Sequence, residues 1–114
     1  MKIERFEDIL SWQKAKELSL EVYSSFKQNK DYSFKDQIQR AVISIGNNIA
    51  EGYERKTNNE FKQFLYIAKG SSGEVRSMLQ LALKLEYINQ KDFERLYILC
   101  VEISKLLSGL TKTL

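Results

Sequence analysis

A chain of 114 residues with 43% hydrophobic, 29% charged and 11% aromatic residues has the composition of one globular domain, 1–114, neither disordered nor embedded in a membrane. Its net charge of +3 permits contact with nucleic acid without requiring it. It contains no histidine, which removes the commonest general base, the usual catalytic triads and the best metal ligand, and its single cysteine supplies neither an internal disulfide nor a zinc cluster.

The absence of proline suits a mainly helical chain. No apolar run approaches the ~20 residues of a membrane helix. The start, Met1-Lys2-Ile3-Glu4-Arg5, lacks an apolar signal core. With one lone thiol, the expected compartment is the reducing cytoplasm.

Four helical segments follow from apolar periodicity, and nothing alternates with period two. Residues 1–10 carry Ile3, Phe6, Ile9 and Leu10 and are expected to pack as an irregular arm. Helix one is predicted over about Ser11 to Lys27, with Ala15, Leu18, Val22 and Phe26 on one face. Helix two is predicted from Ser33, where Ser33 and Asp36 resemble a capping box. Its stripe is Phe34, Ile38, Val42, Ile45 and Ile49, and Gly52 stands where a left-handed residue commonly stops a helix.

Helix three opens on the capping box Thr57/Glu60 and carries Phe61, Phe64, Ala68, Val75, Leu79 and Ala82. Gly70-Ser71-Ser72-Gly73 either breaks it or receives a closely packed neighbour. The stripe resumes in phase, which favours the neighbour. Asn89 caps helix four, with Phe93, Leu96, Cys100, Ile103, Leu107 and Leu110 inward. Four amphipathic helices with short connectors predict an all-α, antiparallel up-down-up-down four-helix bundle.

No Gly-rich phosphate loop follows a strand, and no Glu-x-x-His pair offers a di-iron site. Cys100 lies on an apolar stripe, where packing is the natural role. The expectation is therefore a protein that is not an enzyme, with no cofactor, no metal and no small-molecule substrate.

Three surface patterns remain. On helix two, Gln37, Arg40, Ser44, Asn47, Asn48 and Glu51 recur at spacings of three and four. They form either a solvated face or a polar seam in which Asn48 and Glu51 share a network. On helix four the apolar arc covers about half the circumference, including Leu99 and Leu106, and Ile98 and Val101 lie outside even that arc. A bundle helix needs a stripe only ~100° wide, so the surplus points to self-association through Ile98, Leu99, Val101 and Leu106. On helix three, Lys62, Lys69 and Arg76 are spaced by seven, with Arg55 and Lys56 just before the helix and Gln80 beyond. This line is either ordinary exterior charge or a strip for RNA or DNA phosphates, with Tyr66 near it.

Several segments together resemble the four-helix-bundle family of 23S rRNA intervening sequence proteins. They are Phe6-Glu7-Asp8-Ile9 with Trp12-Gln13-Lys14-Ala15, Gln37-Ile38 with Arg40-Ala41, Ser44-Ile45 with Asn48-Ile49-Ala50-Glu51-Gly52, and Glu60-Phe61 with Phe64-Leu65-Tyr66-Ile67-Ala68, Gly70-Ser71 and Glu74. Gln39 stands where the family often has a second arginine, which weakens a basic patch there, and Gly46-Asn47 stands where a small residue or proline is common.

The resemblance implies a bacterial, ring-like homopentamer of such bundles with no established enzymatic activity. It also implies kinship with the accessory variability determinant proteins of diversity-generating retroelements, pentameric bundles that bind nucleic acid and a reverse transcriptase. The functional expectation is thus a non-catalytic oligomeric bundle with weak, sequence-tolerant nucleic-acid binding. The alternative is a protein–protein scaffold module without nucleic-acid affinity.

Overall fold

The computed structural model describes residues 2–114, and Met1 of the predicted arm lies outside the described residues. A 3-10 turn at Phe6–Asp8 leads into α1 (Leu10–Ser25), α2 (Tyr32–Tyr53), α3 (Asn58–Lys84) and α4 (Gln90–Lys112). No strand occurs among the described residues. Each helix packs most closely on two neighbours, in the cyclic order α1–α2–α3–α4.

Side-chain pairs fix the directions. Gln37 reaches Glu74 while Ser44, further along α2, meets Ser71, so α2 and α3 run antiparallel. Lys14 pairs with Glu102 and Glu21 with Arg95, so α4 runs antiparallel to α1. The result is the expected up-down-up-down bundle, with one core along its length.

The apolar stripes became that core. Ala15, Leu18, Val22 and Phe26 are fully buried, as are Ile38, Val42, Ile45 and Ile49. So are Ala68, Val75, Leu79 and Ala82 of α3 and Leu96, Cys100, Ile103 and Leu107 of α4. Phe64 is only half-buried, and its neighbour Leu65 takes the inward position. The Thr57 hydroxyl accepts from the Glu60 backbone N–H at 3.1 Å and donates to the Glu60 carboxylate at 3.2 Å. Asn89 accepts from the Asp92 N–H at 2.8 Å, capping α4 as predicted.

Four local expectations are corrected. The arm is not uniformly packed: Phe6 lies edge-on to Trp12 and Ile9 is buried, but Ile3 and Leu10 are exposed. Helix two is capped two residues earlier than predicted, because the carboxylate of Asp31 accepts from the Phe34 N–H at 3.1 Å. The same carboxylate accepts the Tyr87 hydroxyl at 2.7 Å, which ties the α1–α2 connector to the α3–α4 connector. That phenol, with the Phe34 N–H second, holds the Asp31 carboxyl below its ordinary value.

Gly52 does not stop α2. It is buried inside the helix, no glycine has a positive φ, and a Cβ there would sit 2.5 Å from Phe64 Cβ. Gly52 is therefore required for close approach to α3, not for a left-handed turn. The left-handed helix end belongs to Glu86, at φ 61° after α3. There the Tyr87 N–H donates to the Ala82 carbonyl at 2.8 Å and the Glu86 N–H to the Leu83 carbonyl at 3.1 Å, the paired bonds of a Schellman end.

The fourth correction concerns Gly70-Ser71-Ser72-Gly73. The helix runs through unbroken, but a Cβ at either glycine would meet nothing within 4 Å. The neighbours pack on the two serines instead.

These two glycine environments make opposite predictions. Gly52→Ala should destabilise by about 2 kcal/mol, since the Phe64 and Phe61 side chains must be displaced. Gly70→Ala should stabilise by about 0.5–1 kcal/mol, since it removes backbone freedom from an open helical position. Urea denaturation of both variants reads the difference directly.

Candidate nucleic-acid interface

Helix three is held on both sides by small polar contacts. On the α2 side, the Ser44 and Ser71 hydroxyls meet at 2.9 Å. The Asn48 amide donates to the Ser44 carbonyl at 2.8 Å and to its hydroxyl at 2.9 Å. On the α4 side, the fully buried Ser72 donates to the Cys100 carbonyl at 3.1 Å and accepts from the Ser104 hydroxyl at 3.1 Å.

The predicted polar seam is thus present, with altered membership. Gln37, Ser44 and Asn48 belong to it, Gln37 through a long 3.4 Å contact with Glu74. Arg40 turns back along its own helix to Asp36 at 2.8 Å. Glu51 is exposed and does not join Asn48, which spends both its amide bonds on Ser44.

Cys100 faces the core, and burial pushes its thiol up to about 12, only slightly opposed by the charge of Arg76. A thiol so protonated is a packing group. Among the described residues, no group of three His, Cys, Asp or Glu side chains could hold a metal ion.

The expected basic strip divides in two. Arg55 lies over the Phe64 ring at 4.9 Å and pairs with Glu60 at 3.8 Å, which turns it from the Lys62–Lys69–Arg76 line. Arg55 and Lys56 instead border a cleft at one end of the bundle, near Tyr53 and Leu114. Lys69 and Arg76 remain together, and α4 adds Lys105 and Lys112 opposite them. These four cations line one open groove of about 410 Å³, whose other walls are Val101, Ser104, Ser108 and Gly109.

No carboxylate lines this groove. The acids of the same helical stretches are drawn elsewhere: Glu102 to Lys14 of α1 at 3.8 Å, and Glu74 to Gln37 of α2. The Arg76 guanidinium lies over the Tyr97 ring at 5.9 Å, a contact that restrains it at the groove. Lys62 is half-buried on the same line but outside the groove walls, and Tyr66 is exposed outside them as well.

The sequence reading missed Lys105 and Lys112. Their spacing of seven matches that of Lys69 and Arg76 and was a usable signal. Only the antiparallel register of α3 and α4 brings the two pairs to one groove.

The surplus apolar residues of α4 also separate. Leu99 packs against the core from its rim, and Leu106 is half-buried. Val101 enters the basic groove, and Ile98 stays 66% exposed.

Fold and surface together define a small antiparallel four-helix bundle with a cationic groove between its last two helices. The chain belongs to the 23S rRNA-intervening sequence protein family, whose model matches residues 7–109. It is similar to the crystal structure of a protein with unknown function from the S23 ribosomal protein family of Bacteroides thetaiotaomicron VPI-5482. The TM-score is 0.85 at 28% identity, over 90% of this chain and 99% of that one. No curated protein matches the chain. No described helix is long and apolar enough to cross a membrane.

The seam yields a paired prediction. Asn48→Ala should lower stability by about 1 kcal/mol, because Ser44 loses one of its two side-chain partners at a half-buried site and keeps only Ser71. Glu51→Ala should stay within about 0.5 kcal/mol of the parent, since that side chain is exposed. Parallel thermal melts test both, and an equal loss from Glu51→Ala would return it to the network.

Proposed function

We propose that this protein is a non-catalytic, homo-oligomeric bundle that binds RNA or DNA weakly and without sequence preference, through its phosphates, in the cytoplasm. The observation that carries this reading is the groove of Lys69, Arg76, Lys105 and Lys112 with no carboxylate on its walls. Phosphate contacts supply sequence-independent affinity, and the Arg76 guanidinium is already restrained at the groove by the Tyr97 ring. The walls hold no aromatic ring on which a base could stack, which favours tolerance of sequence.

A net charge of +3 is too small for one copy to bind strongly. Repetition of the groove around a closed homopentamer would raise avidity without new contacts. Support for self-association comes from large apolar side chains left in water, Ile98 and Leu20 each at 66% exposure.

Fluorescence anisotropy at low and at raised salt tests binding. The parent should bind at low salt and lose affinity steeply as salt rises. Changing Lys62, Lys69 and Arg76 together to Glu should abolish binding while preserving the helical spectrum. Unchanged binding in that variant would leave the protein–protein scaffold as the better reading.

Light scattering coupled to size exclusion should give about five times the 13.4 kDa of one chain. Ile98→Glu should lower that mass. A parent that is monomeric at micromolar concentration would overturn the oligomer.

A further inference from the structure

We infer that the α3–α4 groove is shaped for a single polynucleotide strand rather than a duplex. This rests on the nucleic-acid reading above and adds the form of the ligand.

The placement of the cations carries the inference. Lys69 and Arg76 stand on the α3 wall, Lys105 and Lys112 on the α4 wall. Each pair is seven residues apart, about 10.5 Å along its helix. The buried Ser72 contacts Cys100 and Ser104, and Arg76 meets Tyr97 further along. That antiparallel register brings Lys69 to the level of Lys105 and carries Lys112 toward the level of Lys62. Both walls therefore present a cation at the Lys69/Lys105 level, with Arg76 about 10.5 Å to one side of it and Lys112 about 10.5 Å to the other, so positive charge repeats along the groove.

A narrow chain lying in this groove can be contacted from both sides. Neighbouring helices pack with axes 8–10 Å apart, roughly, so the furrow between their outer faces admits one strand. A duplex carries its phosphates on a convex, wider surface. It would rest on the helix ridges and reach one row of cations at a time. A flexible strand can bend its phosphates to both rows, as in other cationic channels for single strands.

The remaining walls suit a backbone ligand. Ser108 offers a hydroxyl beside Lys105 and Lys112, and Val101 offers apolar contact to a sugar. Tyr97 is occupied by Arg76 on one side and lies 5.3 Å from the Phe93 ring, so it is not a free platform for bases. Discrimination should therefore follow strandedness and not base identity.

The test compares labelled oligo(dT) and oligo(rU) of about 20 nucleotides with a mixed-sequence duplex of the same length, by anisotropy over a salt series. Both strands should bind about tenfold or more tighter than the duplex at low salt. With four phosphates neutralised per groove, log affinity for a strand should fall with log salt at a slope of about −2.8. The double variant Lys105→Gln/Lys112→Gln should reduce that slope by about 1.4 and weaken strand binding. Lys84→Gln/Lys91→Gln makes the same charge change on exposed helical positions outside the groove and should change neither.

Melting curves of both double variants verify the fold. Duplex binding equal to or tighter than strand binding overturns this inference and leaves the nucleic-acid reading standing. Undiminished binding in Lys105→Gln/Lys112→Gln, or equal loss in the control, removes the groove as the site. No binding of any probe at low salt overturns both.

Discussion

The hydroxyl of Ser72 is the contact on which the surface of this bundle depends. It is fully buried between α3 and α4, where it donates to the Cys100 carbonyl and accepts from Ser104. A buried hydroxyl without partners would be costly, and this register gives Ser72 two across the α3–α4 seam. Apolar ridges alone tolerate small shifts along the axis. The hydrogen bonds select among those shifts and hold α4 in register against α3. The meeting of Lys69 and Arg76 of α3 with Lys105 and Lys112 of α4 along one groove, Lys69 level with Lys105, is a consequence of that register.

The same logic operates on the other flank of α3. Ser71 meets Ser44, and Gly52 lets the backbone of α2 approach the Phe64 and Phe61 side chains. Small residues thus set the spacing on both sides of α3, while the large aliphatic residues fill the space between. Gly70, exposed, and Gly73, half-buried, take no part, and no intramolecular contact explains them.

Charge is sorted by the same packing. Lys14 holds Glu102, Arg95 holds Glu21 and Asp92, and Gln37 takes Glu74, so acids gather at the α1–α4 and α2–α3 seams. Exposed pairs of this kind contribute little to stability. Their effect is on potential: they leave the α3–α4 groove with cations alone. A chain of modest net charge can in this way present a locally strong positive surface. That local sorting, more than the total of +3, underlies the functional reading.

By itself the sequence determined the number, order and inward faces of the helices, because a 3.6-residue period places i, i+3, i+4 and i+7 on one side whatever lies opposite. It also determined the caps at Thr57 and Asn89, where a side chain meets a backbone N–H three residues away and no distant partner is needed. The cap of α2 was read at Ser33 from local pattern, whereas the structure places it at Asp31. The bond from Tyr87, 56 residues along the chain, helps hold the Asp31 carboxylate in place.

Whether Gly52 was a turn or a contact depended on what α3 brought opposite it. The second pair of groove lysines was equally hidden. Spacing by seven puts Lys105 and Lys112 on one side of α4, but a period fixes only the angle about a helix's own axis. Which side faces which neighbour, and at what height, is decided by packing between helices, and only the tertiary structure holds that information.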